Sequence, residues 1–132
     1  MDIYAKNIMD NYKNTRNRGC LNDPKVSGKE ANRSCGDNLA VDLRIENDKI
    51  IDLKFDGQGC AISIGAMSIL SEHLIGQEID QVLDLVHQDV LKLLGVEIGG
   101  RRFKCVLLGL LTVQNIIWKN QNKETRTWDD LM

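Results

Sequence analysis

The chain has 132 residues, 42% hydrophobic and 27% charged, which is apolar material for one modest core and too little length for two domains. A formal net charge of -2 and a pI near 5.7 provide no basic field, so nucleic acid is not an expected partner. No apolar run approaches the ~20 residues that span a bilayer, and no membrane role is expected.

The first residues, Met1-Asp2-Ile3-Tyr4, lack the charged-then-apolar pattern of a signal peptide, which leads to the expectation of a cytoplasmic protein. Ile3, Ile8 and Tyr12 can share one helical face. Asn14 to Ser34 is polar, carries Gly19, Asn22-Asp23-Pro24 and Gly28, and reads as loop with room for one edge strand. Leu39, Val41, Leu43 and Ile45 alternate, and Ile51, Leu53 and Phe55 repeat the alternation after the turn-forming Asn47-Asp48. The pattern predicts a hairpin with one buried face.

Beyond the hairpin the period changes from 2 to about 3.6. Cys60 to Leu74 reads as a helix ended by Gly76, and Ile79 to Leu94 as one or two helices stopped by Gly95. Gly95 to Gly100 is a connection, and Phe103 to Lys119 is the longest helix, with Phe103, Val106, Leu107, Leu110, Gln114 and Ile117 near one face. A polar tail from about residue 120 carries Trp128 and is expected to be loosely held. The expected architecture is α+β, a small antiparallel sheet of about three strands packed against helices in a single domain over residues 1–132.

In a reducing compartment four cysteines are ligands, nucleophiles or core fillers rather than disulfides. Three of them sit in distinctive contexts: Cys35-Gly36-Asp37 before the first hairpin strand, Gly57-Gln58-Gly59-Cys60 where the second strand gives way to a helix, and Arg102-Phe103-Lys104-Cys105 at the start of the long helix. A sulfur at a helix start meets unpaired N–H groups and the positive end of the helix dipole, which favour thiolate. Arg102 lies three residues before Cys105, on the same side of a helix, as a thiolate stabiliser. Lys104 points about 100° away from Cys105 and ranks lower in that role.

Cys35, Asp37, Cys60 and Cys105 therefore make a four-ligand set for a thiophilic metal, zinc or iron in a cluster. The segments lie 25 residues apart (35 to 60) and 45 apart (60 to 105), so only the tertiary fold can assemble the set. An oxygen ligand beside three sulfurs points to a site that exchanges what it binds, since structural zinc sites are completed by Cys or His. A cysteine alone on an apolar helix face is most often a small core residue, and Cys20, which has no such context, reads as a bystander. His73 and His87 read as solvated-face histidines. Gly57, Gly59 and Gly65 do not have dinucleotide-loop spacing.

From Ile3 to Ile117 the chain resembles the iron-sulfur cluster assembly proteins of the IscU, SufU and NifU N-terminal-domain type. The landmarks are Ile8-Met9-Asp10-Asn11-Tyr12 leading to Arg16-Asn17-Arg18-Gly19, then Ser34-Cys35-Gly36-Asp37, then Phe55-Asp56-Gly57-Gln58-Gly59-Cys60-Ala61-Ile62-Ser63, and finally Arg102 to Cys105. The resemblance implies a SufE/NifU-like fold, a transient 2Fe-2S cluster or a zinc ion on Cys35, Asp37, Cys60 and Cys105, and a cysteine desulfurase as sulfur donor. It further implies apo iron-sulfur acceptor proteins and an iron or electron donor as partners, with Cys105 (IscU-like) or Cys35 (SufU-like) as persulfide acceptor.

The motifs divide between branches. IscU-type scaffolds usually have a His before the third cysteine, where this chain has Lys104, and a Pro-rich chaperone-recognition stretch, where it has Gly95 to Gly100. Arg102 and the Gly-x-Gly-Cys-x-Ile-Ser run are SufU-like, yet the segment that SufU proteins insert between the second and third cysteines does not fit the 45-residue spacing (60 to 105). The expectation is a non-enzymatic assembly scaffold. A zinc-dependent sulfurtransferase is the alternative, and a structural zinc-binding interaction domain is the reading from a different class.

Overall fold

The structure is a computed structural model that describes residues 3–34, 36–95 and 102–131. Chain order is α1 (Ile3–Lys13), β1 (Val26–Asn32), β2 (Asp37–Glu46), β3 (Lys49–Gln58), α2 (Ala61–Leu74), α3 (Ile79–Leu83), α4 (His87–Leu94), α5 (Arg102–Asn120) and α6 (Trp128–Leu131). The three strands form an antiparallel sheet in the order β1-β2-β3, so the α+β expectation holds.

The hairpin turns where the sequence says it must. Asn47 and Asp48 both adopt positive φ (52° and 59°), the backbone of a two-residue turn whose twist matches that of the strands. Along β2 the inward residues are Leu39, Val41 and Leu43, all essentially inaccessible. On β3 the expected phase is wrong at one residue. Ile50 is buried and Ile51 is exposed, because Arg44 pairs with Asp52 while Ile45 pairs with Ile50. The extra residue in β3 is a bulge, and a bulge shifts alternation by one.

The edge strand within Asn14 to Ser34 is β1, with Val26, Gly28, Glu30 and Asn32 on its inner side. Ahead of it, residues 17–19 run beside β3, with the Gly19 N–H donating to Phe55 O at 2.9 Å and the Phe55 N–H to Asn17 O at 2.9 Å.

Helix α5 does not present a single apolar face. Every residue from Cys105 to Ile117 is buried, because the helix packs against β1 and β2 as well as α2, α3 and α4. It is a central helix, whose sequence is apolar nearly all round for that reason. Between α2 and α5 the backbones come close: a Cβ on Gly109 would run into Met67 Sδ.

The tail is tied down rather than loose. Asn115 accepts the Arg126 N–H at 2.6 Å and donates to Arg126 O at 3.1 Å, imitating a strand partner. Thr127 donates its N–H to Asp130 Oδ2 at 2.7 Å, starting α6, and Leu131 enters the core at 3% exposure. His87 is also no solvated histidine: its Nδ1 lies 2.8 Å from Leu131 O and its ring meets Phe103 edge-on. His73 is exposed. No helix among the described residues is long and apolar enough to cross a membrane.

Candidate metal centre

Strand pairing brings the first two site residues together. Asp37 opens β2, and β2 pairs with β3 so that Asn38 faces Gln58, which puts Asp37 beside Gly59 and Cys60 at the far end of the hairpin. Gly36, at φ 74°, turns the chain into β2 in a conformation that disfavours side chains. Asp37 Oδ1 accepts the Cys60 backbone N–H at 3.1 Å, and this contact fixes the point where strand becomes helix.

Cys60 is the N-cap of α2. Its sulfur accepts the Ser63 N–H at 3.5 Å, and the Ser63 hydroxyl donates to Cys60 O at 3.1 Å. The sulfur thus takes the place a Ser or Asp oxygen holds in an ordinary cap. A side chain at Gly59 would force its neighbours to shift. A Cβ there would run into Ser63 Oγ and stand 3.3 Å from Asp37 Oδ1.

Cys105 lies in the first turns of α5 and is 3% exposed, whereas Cys60 is exposed. One ligand atom each from Asp37, Cys60 and Cys105 gather within 4.8 Å of one another. Two sulfurs on one tetrahedral zinc stand roughly 3.8 Å apart, so a modest contraction would seat an ion. Asp37 Oδ2 is buried and has no hydrogen-bond partner among the described residues, an arrangement that costs free energy unless a cation or donor meets it. Two soft sulfurs and a carboxylate fit a thiophilic metal, and the donor set is unsuited to magnesium or calcium.

Cys35 lies outside the described residues, as do residues 96–100 of the expected Gly95 to Gly100 connection. Arg102 opens α5 and is exposed. Lys104 is turned toward the tail, its Nζ 5.7 Å from the centre of the Trp128 ring. Cys20 is exposed and takes no part in the metal-ligating group.

Two residues at the site escape a reading of the sequence. Ser63 stands in the Gly-x-Gly-Cys-Ala-Ile-Ser run, three residues after a helix-start cysteine, where its backbone N–H meets the N-cap side chain. Asn32 is 2% exposed and directs Nδ2 at Cys105 Sγ, 3.8 Å away. No local period around it marked it as inward.

The family described as the NifU-like N terminal domain matches residues 3–127. The zinc-dependent sulfurtransferase SufU of Bacillus subtilis is 37% identical over 83 residues, covering 63% of this chain and 56% of that protein. The iron-sulfur cluster assembly scaffold protein IscU of Thermotoga maritima is 33% identical over 86 residues, covering 65% of this chain and 61% of that protein. The chain therefore spans under two thirds of the length of these two relatives. IscU of Aquifex aeolicus is 33% identical over 115 residues, 83% of this chain and 71% of that protein.

Among solved structures, a Fervidobacterium islandicum AW-1 protein described as an iron-sulfur cluster assembly scaffold for the SUF system superposes with a TM-score of 0.74 at 26% identity, over 85% of this chain and 94% of that one. The N-terminal NifU-like protein of Brucella abortus has the same fold, with a TM-score of 0.74 at 22% identity, over 92% of this chain and 96% of that one. Sequence motifs, fold and the gathering of Asp37, Cys60 and Cys105 converge: the chain belongs to the NifU-like N-terminal domain family.

Proposed function

We propose that this protein is an iron-sulfur assembly scaffold, working in the cytoplasm, that accepts sulfur from a cysteine desulfurase and builds a transient 2Fe-2S cluster for transfer to apo-acceptors. The observation that carries the reading is the grouping of Asp37, Cys60 and Cys105, in which Asp37 Oδ2 is buried with no hydrogen-bond partner among the described residues. Cys35 completes the ligand set. The exposure of Cys60 supports exchange, because iron and sulfur need a route in and out.

Sulfur arrives when a thiolate of this chain, Cys105 or Cys35, attacks the terminal sulfur of the desulfurase persulfide. The desulfurase cysteine leaves as thiolate, and a reductant supplies two electrons to convert each transferred sulfur to sulfide. Iron and sulfide are the cargo of the site, and Asp37, as its oxygen ligand, sets how readily that cargo leaves. Arg102 adds positive charge at the helix start that carries Cys105.

A second reading, zinc-dependent sulfur transfer, has support in the 37% identity to the Bacillus subtilis sulfurtransferase. A structural zinc-binding interaction domain is the third, and a carboxylate in the ligand set counts against it.

Anaerobic incubation with iron, cysteine, a reductant and a desulfurase separates all three. A scaffold gains the charge-transfer absorption of a 2Fe-2S cluster and passes it to an apo-ferredoxin. Retained zinc with one added sulfur atom by mass spectrometry, and never a cluster, would establish the sulfurtransferase. Retained zinc with no added sulfur would leave the structural domain.

A further inference from the structure

We propose that Asn32 is a positioning residue for the Cys105 sulfur, supplying an N–H···S hydrogen bond that tunes this ligand and ties it to β1, the strand paired with the one that carries Asp37. The proposal rests on the reading of Cys105 as a metal ligand.

Asn32 is the last residue of β1 and the cross-strand partner of Asp37. Both are buried, at 2% and 3% exposure, on the inner side of the sheet against which α5 packs. Asn32 Nδ2 stands 3.8 Å from Cys105 Sγ. The assignment of the amide follows from chemistry, since a metal-binding sulfur accepts hydrogen bonds and the amide nitrogen is the end that donates.

The other inner positions of β1 serve packing and the tail. A Cβ on Gly28 would press on Ile116, and Glu30 Oε1 accepts from Asn115 Nδ2 at 2.9 Å. At Asn32 an apolar side chain would fill the same space without a buried amide to desolvate. The amide is explained by a sulfur that carries negative charge whenever a metal is bound. Cys60 already has such a donor in the Ser63 N–H, from helix backbone, and Asn32 offers one to Cys105 from a strand side chain. A donor on a ligating thiolate draws electron density from it and holds its orientation, the outer-shell control seen in other metal sites.

The test uses cobalt(II) and zinc as probes, with no sulfur chemistry involved. In Asn32→Leu, which has no donor, the sulfur-to-cobalt charge-transfer band should move to longer wavelength, and zinc affinity by chelator competition should fall ~10-fold. Asn32→Ser, whose hydroxyl is too short to reach the sulfur, should show the same band shift and provides the reading if the leucine variant does not fold. An unchanged band in a folded variant overturns the proposal, even if zinc affinity falls, because loss of packing alone does not change the energy of a sulfur lone pair. Cys105→Ser is the control. If it leaves the charge-transfer intensity whole, the ligand reading itself has failed, and the Asn32 proposal falls with it for a distinguishable reason.

Discussion

Asp37 uses its two carboxylate oxygens differently with respect to Cys60. Oδ1 accepts the Cys60 backbone N–H at 3.1 Å, while Oδ2 is buried with no hydrogen-bond partner among the described residues. One residue thus meets the start of α2 with one oxygen and leaves the other without a hydrogen-bond partner among the described residues. Asp37→Ala should weaken zinc or slow cluster release to an apo-ferredoxin while circular dichroism shows an intact fold. Asp37→Asn, which can keep the Oδ1 contact, should hold the Cys60 backbone yet bind zinc less tightly. Unchanged affinity and transfer in both variants would remove Asp37 from the site.

The three motif cysteines should be required together. Loss of one ligand from a four-ligand zinc site should cost on the order of 3 kcal/mol, or about 100-fold in affinity, if the binding free energy divides evenly. Single Cys→Ser changes at Cys35, Cys60 and Cys105 should each show this loss in chelator competition, and Cys20→Ser should not. Full retention in any of the first three, or loss in the last, contradicts the ligand set.

Gly59 is constrained by contact. Gly59→Ala should disturb the Cys60 cap by about 1–3 kcal/mol, the usual cost of an extra methyl in a filled space. Because Ser63 Oγ is the atom a Cβ would meet first, Gly59→Ala combined with Ser63→Ala should recover part of the zinc affinity lost by Gly59→Ala alone. Additive losses would place the constraint elsewhere.

Away from the site, Asp42 ties the loop after α1 to the sheet. Burial acts to raise its carboxyl, but hydrogen bonds from the Ser27 hydroxyl, the Leu21 N–H and Lys25 outweigh that and hold it below the ordinary 3.8. A carboxyl lowered in the folded state stabilises above its ordinary value, and that stability is lost as pH falls through the folded value. Asp42→Asn should therefore lower stability at pH 7 by ~1–2 kcal/mol, with the gap from the parent closing below about pH 4. Urea midpoints at pH 7 and pH 3 would show it, and an equal gap at both would refute the assignment.

Much of this protein is legible without coordinates, because its signals are local. Asn47-Asp48 between two alternating runs specifies a tight hairpin, Gly95 ends a helix at φ 71°, and Gly57-Gln58-Gly59-Cys60 marks the passage from strand to helix. The unusual pairing of Cys-Gly-Asp with two helix-start cysteines is enough to nominate Cys35, Asp37, Cys60 and Cys105, since ligand chemistry resides in residue type.

What only the tertiary structure decided depends on distances between segments remote in the chain. The β3 bulge that buries Ile50 and exposes Ile51 is a property of pairing with β2, and no alternation within β3 can report it. The all-round burial of α5 depends on the sheet and three helices packing against it, as the docking of the tail depends on Asn115 imitating a strand. Asn32 meets Cys105 across 73 residues of sequence because β1 ends level with the start of β2, where Asp37 stands. Local preference determines which elements form, whereas the few contacts that hold Asp37, Cys60 and Cys105 within 4.8 Å exist only once those elements have packed.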